Sequence, residues 1–79
     1  MTNLEKYNRV FCEVFELKED QLGPDLLYQS VPSWDSVGHM SLMSALEEHF
    51  GIMLDIDDII NYASYDVGKE ILRKYGVEI

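Results

Sequence analysis

The chain has 79 residues, 47% of them hydrophobic, which is enough for one small folded core but not for several domains or a deep catalytic cleft. Its formal net charge of −9 excludes nucleic acid and anionic lipid surfaces as natural partners and favours proteins with basic surfaces. The single cysteine, Cys12, excludes an internal disulfide. We therefore expect one domain over residues 1–79 that is a monomer and not a self-contained enzyme.

No signal-peptide pattern opens the chain, and no apolar run approaches the ~20 residues that a bilayer span needs. The sequence therefore predicts no membrane span and a cytoplasmic protein.

The first helix is predicted over residues 3 to about 16. Thr2, with Glu5 three residues later, forms the capping-box pattern that begins a helix. Apolar residues then recur at three- and four-residue steps: Leu4, Tyr7, Val10, Phe11, Val14 and Phe15. Residues 17–34 show no sustained periodicity, so they predict a long loop with room for one short helical turn. We expect its leucines and Val31 to pack across the helices.

A second helix is predicted from about residue 36 to residue 50. Asp35 and Ser36 are residue types that begin helices, and Gly51 can close one in the left-handed conformation. A helix N-terminus has unpaired N–H groups and partial positive charge, so a phosphate esterified to Ser36 would be favoured there. The predicted core stripe is Leu42, Met43, Leu46 and Phe50. Flanking faces near the serine hold Val37, Met40 and Ala45.

The last third of the chain predicts a packed connection, a short helix and a final helix. The short helix begins in an acidic cluster, which the helix dipole favours: Asp55, Asp57 and Asp58. The final helix begins at Ser64 or Tyr65 and ends at Gly76, with four residues facing inward: Val67, Ile71, Leu72 and Tyr75. The predicted fold is all-α: a small four-helix bundle, with three main helices plus one short helix and a long loop between helices 1 and 2.

Two motifs of the second helix resemble those of the acyl carrier protein family. Asp35-Ser36-Val37 is similar to the family's Asp-Ser-Leu motif, and Ala45-Leu46-Glu47-Glu48-His49-Phe50 is similar to its acidic helix. The stretch from Gly51 to Asp58 and the last amphipathic segment follow in the family's order and at nearly its spacing. The resemblance covers residues 33–73.

The resemblance implies a function in transport rather than catalysis, with no catalytic residues in this chain. In that family a phosphopantetheinyl transferase attaches 4′-phosphopantetheine to the motif serine, here Ser36 after Asp35, and the arm's thiol carries acyl groups as thioesters. Acyl-loading and acyl-processing enzymes with basic surfaces would bind the partner-facing residues: Val37, Met40, Glu47, Glu48, Asp55, Asp57 and Asp58. The acyl chain of such carriers slips between the helices, where the candidate walls are Leu42, Leu46, Ile59 and Ile71. Each of these four is equally explicable as ordinary core.

Two other chemistries are weighed against this interpretation. Ser36 and His39 lie three residues apart on roughly one helix face, but the chain lacks a Gly-x-Ser-x-Gly turn and a third group to orient the histidine. The aspartates from Asp55 to Asp58 lack the glycine and the terminal glutamate of a calcium-binding loop, so we expect no metal site. Trp34 is interpreted as a core anchor for the long loop rather than as an exposed contact for a partner enzyme.

Five residues depart from the family's pattern: Ser33, Trp34, Val37, Gly38 and Ser41. Of these, Gly38 and Ser41 stand where carriers of primary fatty-acid synthesis often have acidic residues, so the negative charge near Ser36 is reduced. These departures favour a specialised, discrete carrier in fatty-acid, lipid or polyketide-type biosynthesis. An aminoacyl, peptidyl or D-alanyl carrier and an unmodified acidic interaction module remain open. Glycine inside a helix costs about 1 kcal/mol relative to alanine, and the sequence alone does not explain Gly38.

Overall fold

The computed structural model describes all 79 residues and contains four α-helices and no strand. The helices are α1 (Asn3–Phe15), α2 (Ser36–Phe50), α3 (Ile56–Asn61) and α4 (Tyr65–Lys74). A short 3-10 helix, Glu19–Gln21, is the only helical turn in the loop between α1 and α2. The predicted all-α bundle of three main helices and one short helix is confirmed.

The helix ends follow the capping chemistry of the sequence. The Thr2 hydroxyl accepts from the Glu5 N–H at 3.1 Å, and the Glu5 carboxylate accepts from the Thr2 N–H at 3.1 Å, which completes the predicted capping box. Gly51 closes α2 with a left-handed φ of 63°. The Ser64 hydroxyl accepts from the Val67 N–H at 3.0 Å and begins α4.

One continuous core contains side chains from α1, α2, α4 and the connections between the helices. Trp34 is fully buried, as predicted, and its indole stacks on Phe15 with a centroid separation of 5.2 Å. The ring of Phe11 meets the same indole edge-on at 5.6 Å. The residue directly before the Asp35-Ser36 motif is thus fixed in the core, so the start of α2 has a defined position.

The long loop is attached to the junction between α3 and α4 by backbone hydrogen bonds. Leu27 forms an antiparallel bridge with Ser64, and the Tyr28 N–H donates to the Ala63 carbonyl at 2.8 Å. Alternation in extended backbone turns Leu26 into the core and Leu27 outward. The expectation that all the loop's leucines pack inward is therefore wrong for Leu27, which is exposed.

A buried chain of hydroxyl groups joins α1 to α4. The Tyr7 hydroxyl donates to the Tyr65 carbonyl at 2.7 Å, so the Tyr62 hydroxyl must be the donor in its 2.7 Å contact with Tyr7. A Cβ at Gly68 would lie 2.1 Å from the Tyr62 hydroxyl oxygen, so glycine is required for this close approach. Burial raises the pKa of both Tyr7 and Tyr62 far above the ordinary value.

Each helix is short in comparison with a membrane span. The longest, α2, has 15 residues, and no helix combines the length and hydrophobicity that a bilayer crossing requires.

Candidate functional site

Ser36 is exposed and occupies the first position of α2. The preceding residue, Asp35, is the N-cap, and its carboxylate accepts from the Gly38 N–H at 2.8 Å. The Ser36 and Val37 N–H groups have no hydrogen-bond acceptor within the chain, as expected for the first turn of a helix. Asp35 therefore caps the helix, and the Ser36 side chain takes no part in the cap.

Gly38 allows the chain before the motif to pass directly over the first turn of α2. A Cβ at this position would lie 1.9 Å from the Ser33 carbonyl oxygen. The Ser33 hydroxyl in turn donates to the Phe15 carbonyl at the end of α1, at 2.9 Å. The glycine that the sequence left unexplained is thus required by the close approach of the loop backbone.

Tyr28 is the side chain that contacts the Ser36 hydroxyl. Its hydroxyl lies 3.2 Å from Ser36 Oγ, and its half-buried ring meets the His39 ring edge-on at 5.3 Å. The two residues are eight positions apart across an irregular loop, so no helical or strand spacing could have indicated the contact.

His39 does not bond to Ser36, because both of its ring nitrogens have other partners. Nδ1 lies 2.9 Å from Trp34 Nε1, which can only donate, and Nε2 lies 2.7 Å from the Ile59 carbonyl, which can only accept. These contacts define the neutral tautomer with its proton on Nε2. His39 is therefore a structural connection between the long loop, α2 and α3, and no Ser36–His39 pair is formed.

A mostly apolar cavity of about 380 Å³ opens beside Ser36, between the long loop, α2 and α3. Its lining residues are Tyr28, Ser36, His39, Met40, Ile59, Ile60, Tyr62 and Ala63. Of the four predicted wall residues, only Ile59 lines this cavity. Leu42, Leu46 and Ile71 do not line it and belong to the buried core instead.

A second, shallower groove runs along the outer side of α2. It is lined by Ser36, Val37, Met40, Ser41, Ser44, Ala45 and Glu48. Val37 is 76% exposed and Met40 is 52% exposed. Ser36 and Met40 line both concavities, so Ser36 stands on the ridge between them.

The predicted acidic partner surface is only partly free. Glu48, Asp55 and Asp57 are exposed, whereas Glu47 is half-buried and its carboxylate accepts from the Leu54 N–H at 2.9 Å. Glu47 therefore holds the connection after α2.

Asp58 corrects the expectation of a free charge. It is only 8% exposed, with one oxygen 2.6 Å from Lys74 Nζ and the other 2.5 Å from the Tyr75 hydroxyl. The hydrogen bond from Lys74, and to a smaller extent the one from Tyr75, lowers the pKa of the Asp58 carboxyl. Its function is to join α3 to α4.

The other titratable groups do not form a recognisable metal centre. No three His, Cys, Asp or Glu side chains lie close enough together to hold a metal ion.

No protein-family model, curated protein or solved structure matches the chain. Function therefore has to be inferred from Ser36 and its surroundings.

Proposed function

We propose that the chain is an acyl carrier protein, which holds acyl intermediates as thioesters on a 4′-phosphopantetheine arm attached to Ser36. The observation that carries this proposal is the exposed Ser36 hydroxyl, at the first turn of a 15-residue helix and at the mouth of an apolar cavity. The Asp35-Ser36-Val37 motif and the acidic residues that follow add the sequence resemblance.

The first turn of α2 suits a phosphodiester at Ser36. The unpaired N–H groups of Ser36 and Val37 and the positive end of the helix dipole favour a negative group at this position. Transfer forms a bond between Ser36 Oγ and the β-phosphorus of coenzyme A and breaks the bond to 3′,5′-ADP, which leaves. The serine proton passes to a base of the transferase. No catalytic side chain is needed in the carrier, which agrees with the engagement of both His39 nitrogens elsewhere.

Partner enzymes would meet an apolar centre with acidic surroundings. Val37 and Met40 are exposed beside Ser36, and the charges left free for a basic partner are Glu48, Asp55 and Asp57. Such complementary charges accelerate encounter and weaken with salt. We expect the phosphopantetheinyl transferase and the acyl-loading and acyl-processing enzymes to approach this face, in the cytoplasm.

The carrier is proposed to be a specialised one. The first turn of α2 contains no acidic side chain, and Gly38 and Ser41 stand where carriers of primary fatty-acid synthesis often have acidic residues. The test is turnover of the acylated protein by fatty-acid elongation enzymes. Turnover as fast as that of the primary carrier would remove the reason for assigning a specialised pathway.

The attachment itself is tested by intact-protein mass after incubation with coenzyme A and a broad-specificity phosphopantetheinyl transferase. We expect one adduct on the wild type, none on Ser36→Ala, and one on Ser44→Ala, the matched control on the exposed side of α2. An unmodified but folded wild type would overturn the proposal and favour an acidic interaction module. With the adduct established, loading by an amino-acid-adenylating enzyme would instead identify an aminoacyl, peptidyl or D-alanyl carrier.

A further inference from the structure

Tyr28 is the polar side chain that faces Ser36 from outside its own helix. We propose that its hydroxyl holds the phosphate of the arm and thereby directs the arm into the cavity between the long loop, α2 and α3. This inference rests on the carrier function proposed above. It adds a positioning residue that selects one of two paths leading away from Ser36.

Two paths exist because Ser36 lies on the ridge between two concavities. On one side is the apolar cavity that Tyr28 lines together with Met40 and Ile60, and on the other is the outer groove that ends at Glu48. A group attached to Ser36 Oγ could begin in either direction. The Tyr28 hydroxyl, 3.2 Å from Oγ, is on the cavity side only.

The position of Tyr28 is set before any arm is attached. Its N–H donates to the Ala63 carbonyl at 2.8 Å, and its ring meets Trp34 and His39 edge-on at 6.4 and 5.3 Å. Trp34 is fully buried, and His39 is hydrogen-bonded at both ring nitrogens. The hydroxyl is therefore presented to Ser36 by a rigid support rather than by a mobile loop tip.

Modification of Ser36 changes what the Tyr28 hydroxyl can do. In the unmodified chain either hydroxyl can donate to the other. Once Ser36 Oγ is esterified it has no proton, so Tyr28 must be the donor, and the charged non-bridging phosphate oxygens are better acceptors than an ester oxygen. One charge-assisted hydrogen bond biases the arm towards the cavity by about tenfold.

The consequence is that the arm starts along Ile59 and Ile60 instead of along Val37 and Ser41. Its attached group then lies in the more enclosed of the two concavities. Delivery to a partner enzyme requires the Tyr28–phosphate hydrogen bond to break.

The experiment uses the modified wild type and modified Tyr28→Phe, which keeps the ring and loses only the hydroxyl. The readouts are the phosphorus-31 chemical shift of the phosphodiester and nuclear Overhauser contacts between the isotope-labelled arm and protein methyl groups. Tyr65→Phe is the matched control, because its hydroxyl bonds to Asn8 in α1 and not to Ser36. Mass spectrometry confirms the adduct on each protein before measurement.

We expect the phosphorus signal of Tyr28→Phe to move towards that of free phosphopantetheine, and the ratio of the arm's contacts with Ile59 and Ile60 to its contacts with Val37 to fall about tenfold, with Tyr65→Phe unchanged. Identical phosphorus shifts and contacts in the wild type and Tyr28→Phe would overturn the assignment of Tyr28 while the carrier function stands. A folded wild type without an adduct would overturn both.

Discussion

The Trp34 indole N–H donates to His39 Nδ1 at 2.9 Å, and this one contact joins the end of the long loop to the first turns of α2. Trp34 is fully buried, so its N–H has no alternative partner in water. The other ring nitrogen of His39, Nε2, donates to the Ile59 carbonyl at 2.7 Å. A single side chain thereby fixes three elements around Ser36.

Replacing His39 by leucine should lower the free energy of unfolding by about 1–3 kcal/mol, because a buried N–H of Trp34 and the Ile59 carbonyl lose their partners. Urea unfolding followed by Trp34 fluorescence measures the change. The matched control is His49→Leu at the exposed end of α2, which should stay within about 0.5 kcal/mol of the wild type. Equal effects of the two substitutions would contradict the structural role of His39.

Gly38→Ala should destabilise the protein although alanine is the better helix former. Helix propensity alone predicts a gain of about 1 kcal/mol, but the new Cβ would lie 1.9 Å from the Ser33 carbonyl oxygen. We expect the free energy of unfolding, measured with urea, to fall by about 1–3 kcal/mol, as at other overpacked sites. Ser44→Ala on the exposed side of α2 is the control, and a Gly38→Ala variant more stable than wild type would disprove the close contact.

Asp58→Asn should lower the midpoint of thermal unfolding at neutral pH, because it removes the negative partner of Lys74. The pKa of Asp58 is lower in the folded chain than its ordinary value of 3.8. The folded state therefore binds fewer protons there than the unfolded state, and the ionised carboxyl stabilises the protein above that value. Wild type and variant should converge as pH falls below about 4, and a pH-independent difference would contradict this.

Alkaline pH should unfold the protein through Tyr7 and Tyr62. Burial keeps both phenols protonated in the folded chain well above the ordinary pKa of 10.0. The unfolded chain releases these protons, so the free energy of unfolding falls as pH rises above about 10. Phenolate absorbance and helical circular dichroism, recorded together, should show both groups ionising only as helicity is lost. Complete titration of all tyrosines with helicity intact would refute it.

Charge reversal at Glu48 should slow modification of Ser36 severalfold at low salt, because a basic transferase is steered by the exposed acidic residues. Initial rates of adduct formation at low and high ionic strength measure this effect, which should shrink as salt is added. Glu13→Lys changes the net charge equally on the exposed side of α1 and is the control. Equal slowing by both variants would indicate a response to net charge and not to a local surface.

The sequence predicted the helices well because their ends are encoded locally. Thr2 with Glu5, and Gly51, signal an end of a helix through their own backbone chemistry. The apolar spacing of α1 and α2 identified most of the core stripes, but Leu4 at the start of α1 is exposed.

The surroundings of Ser36 were predictable only in part. Tyr28 reaches Ser36, and Lys74 reaches Asp58, through chain turns that have no period in sequence. Leu42, Leu46 and Ile71 share the apolar pattern of cavity walls, but pattern alone does not tell which side of the bundle a cavity opens on. The sequence shows that Gly38 costs helix stability. The reason for a glycine here, the close approach of the Ser33 backbone, is visible only in the structure.

The backbone bond from Tyr28 to Ala63 also determines how the cavity beside Ser36 can change size. This bond attaches the long loop to the junction between α3 and α4, so these two parts of the cavity wall move together. Another wall of the cavity is α3, which is only six residues long and is joined to α2 through His39. A larger guest would be accommodated by movement of this short helix, which would stretch the hydrogen bond from His39 to the Ile59 carbonyl.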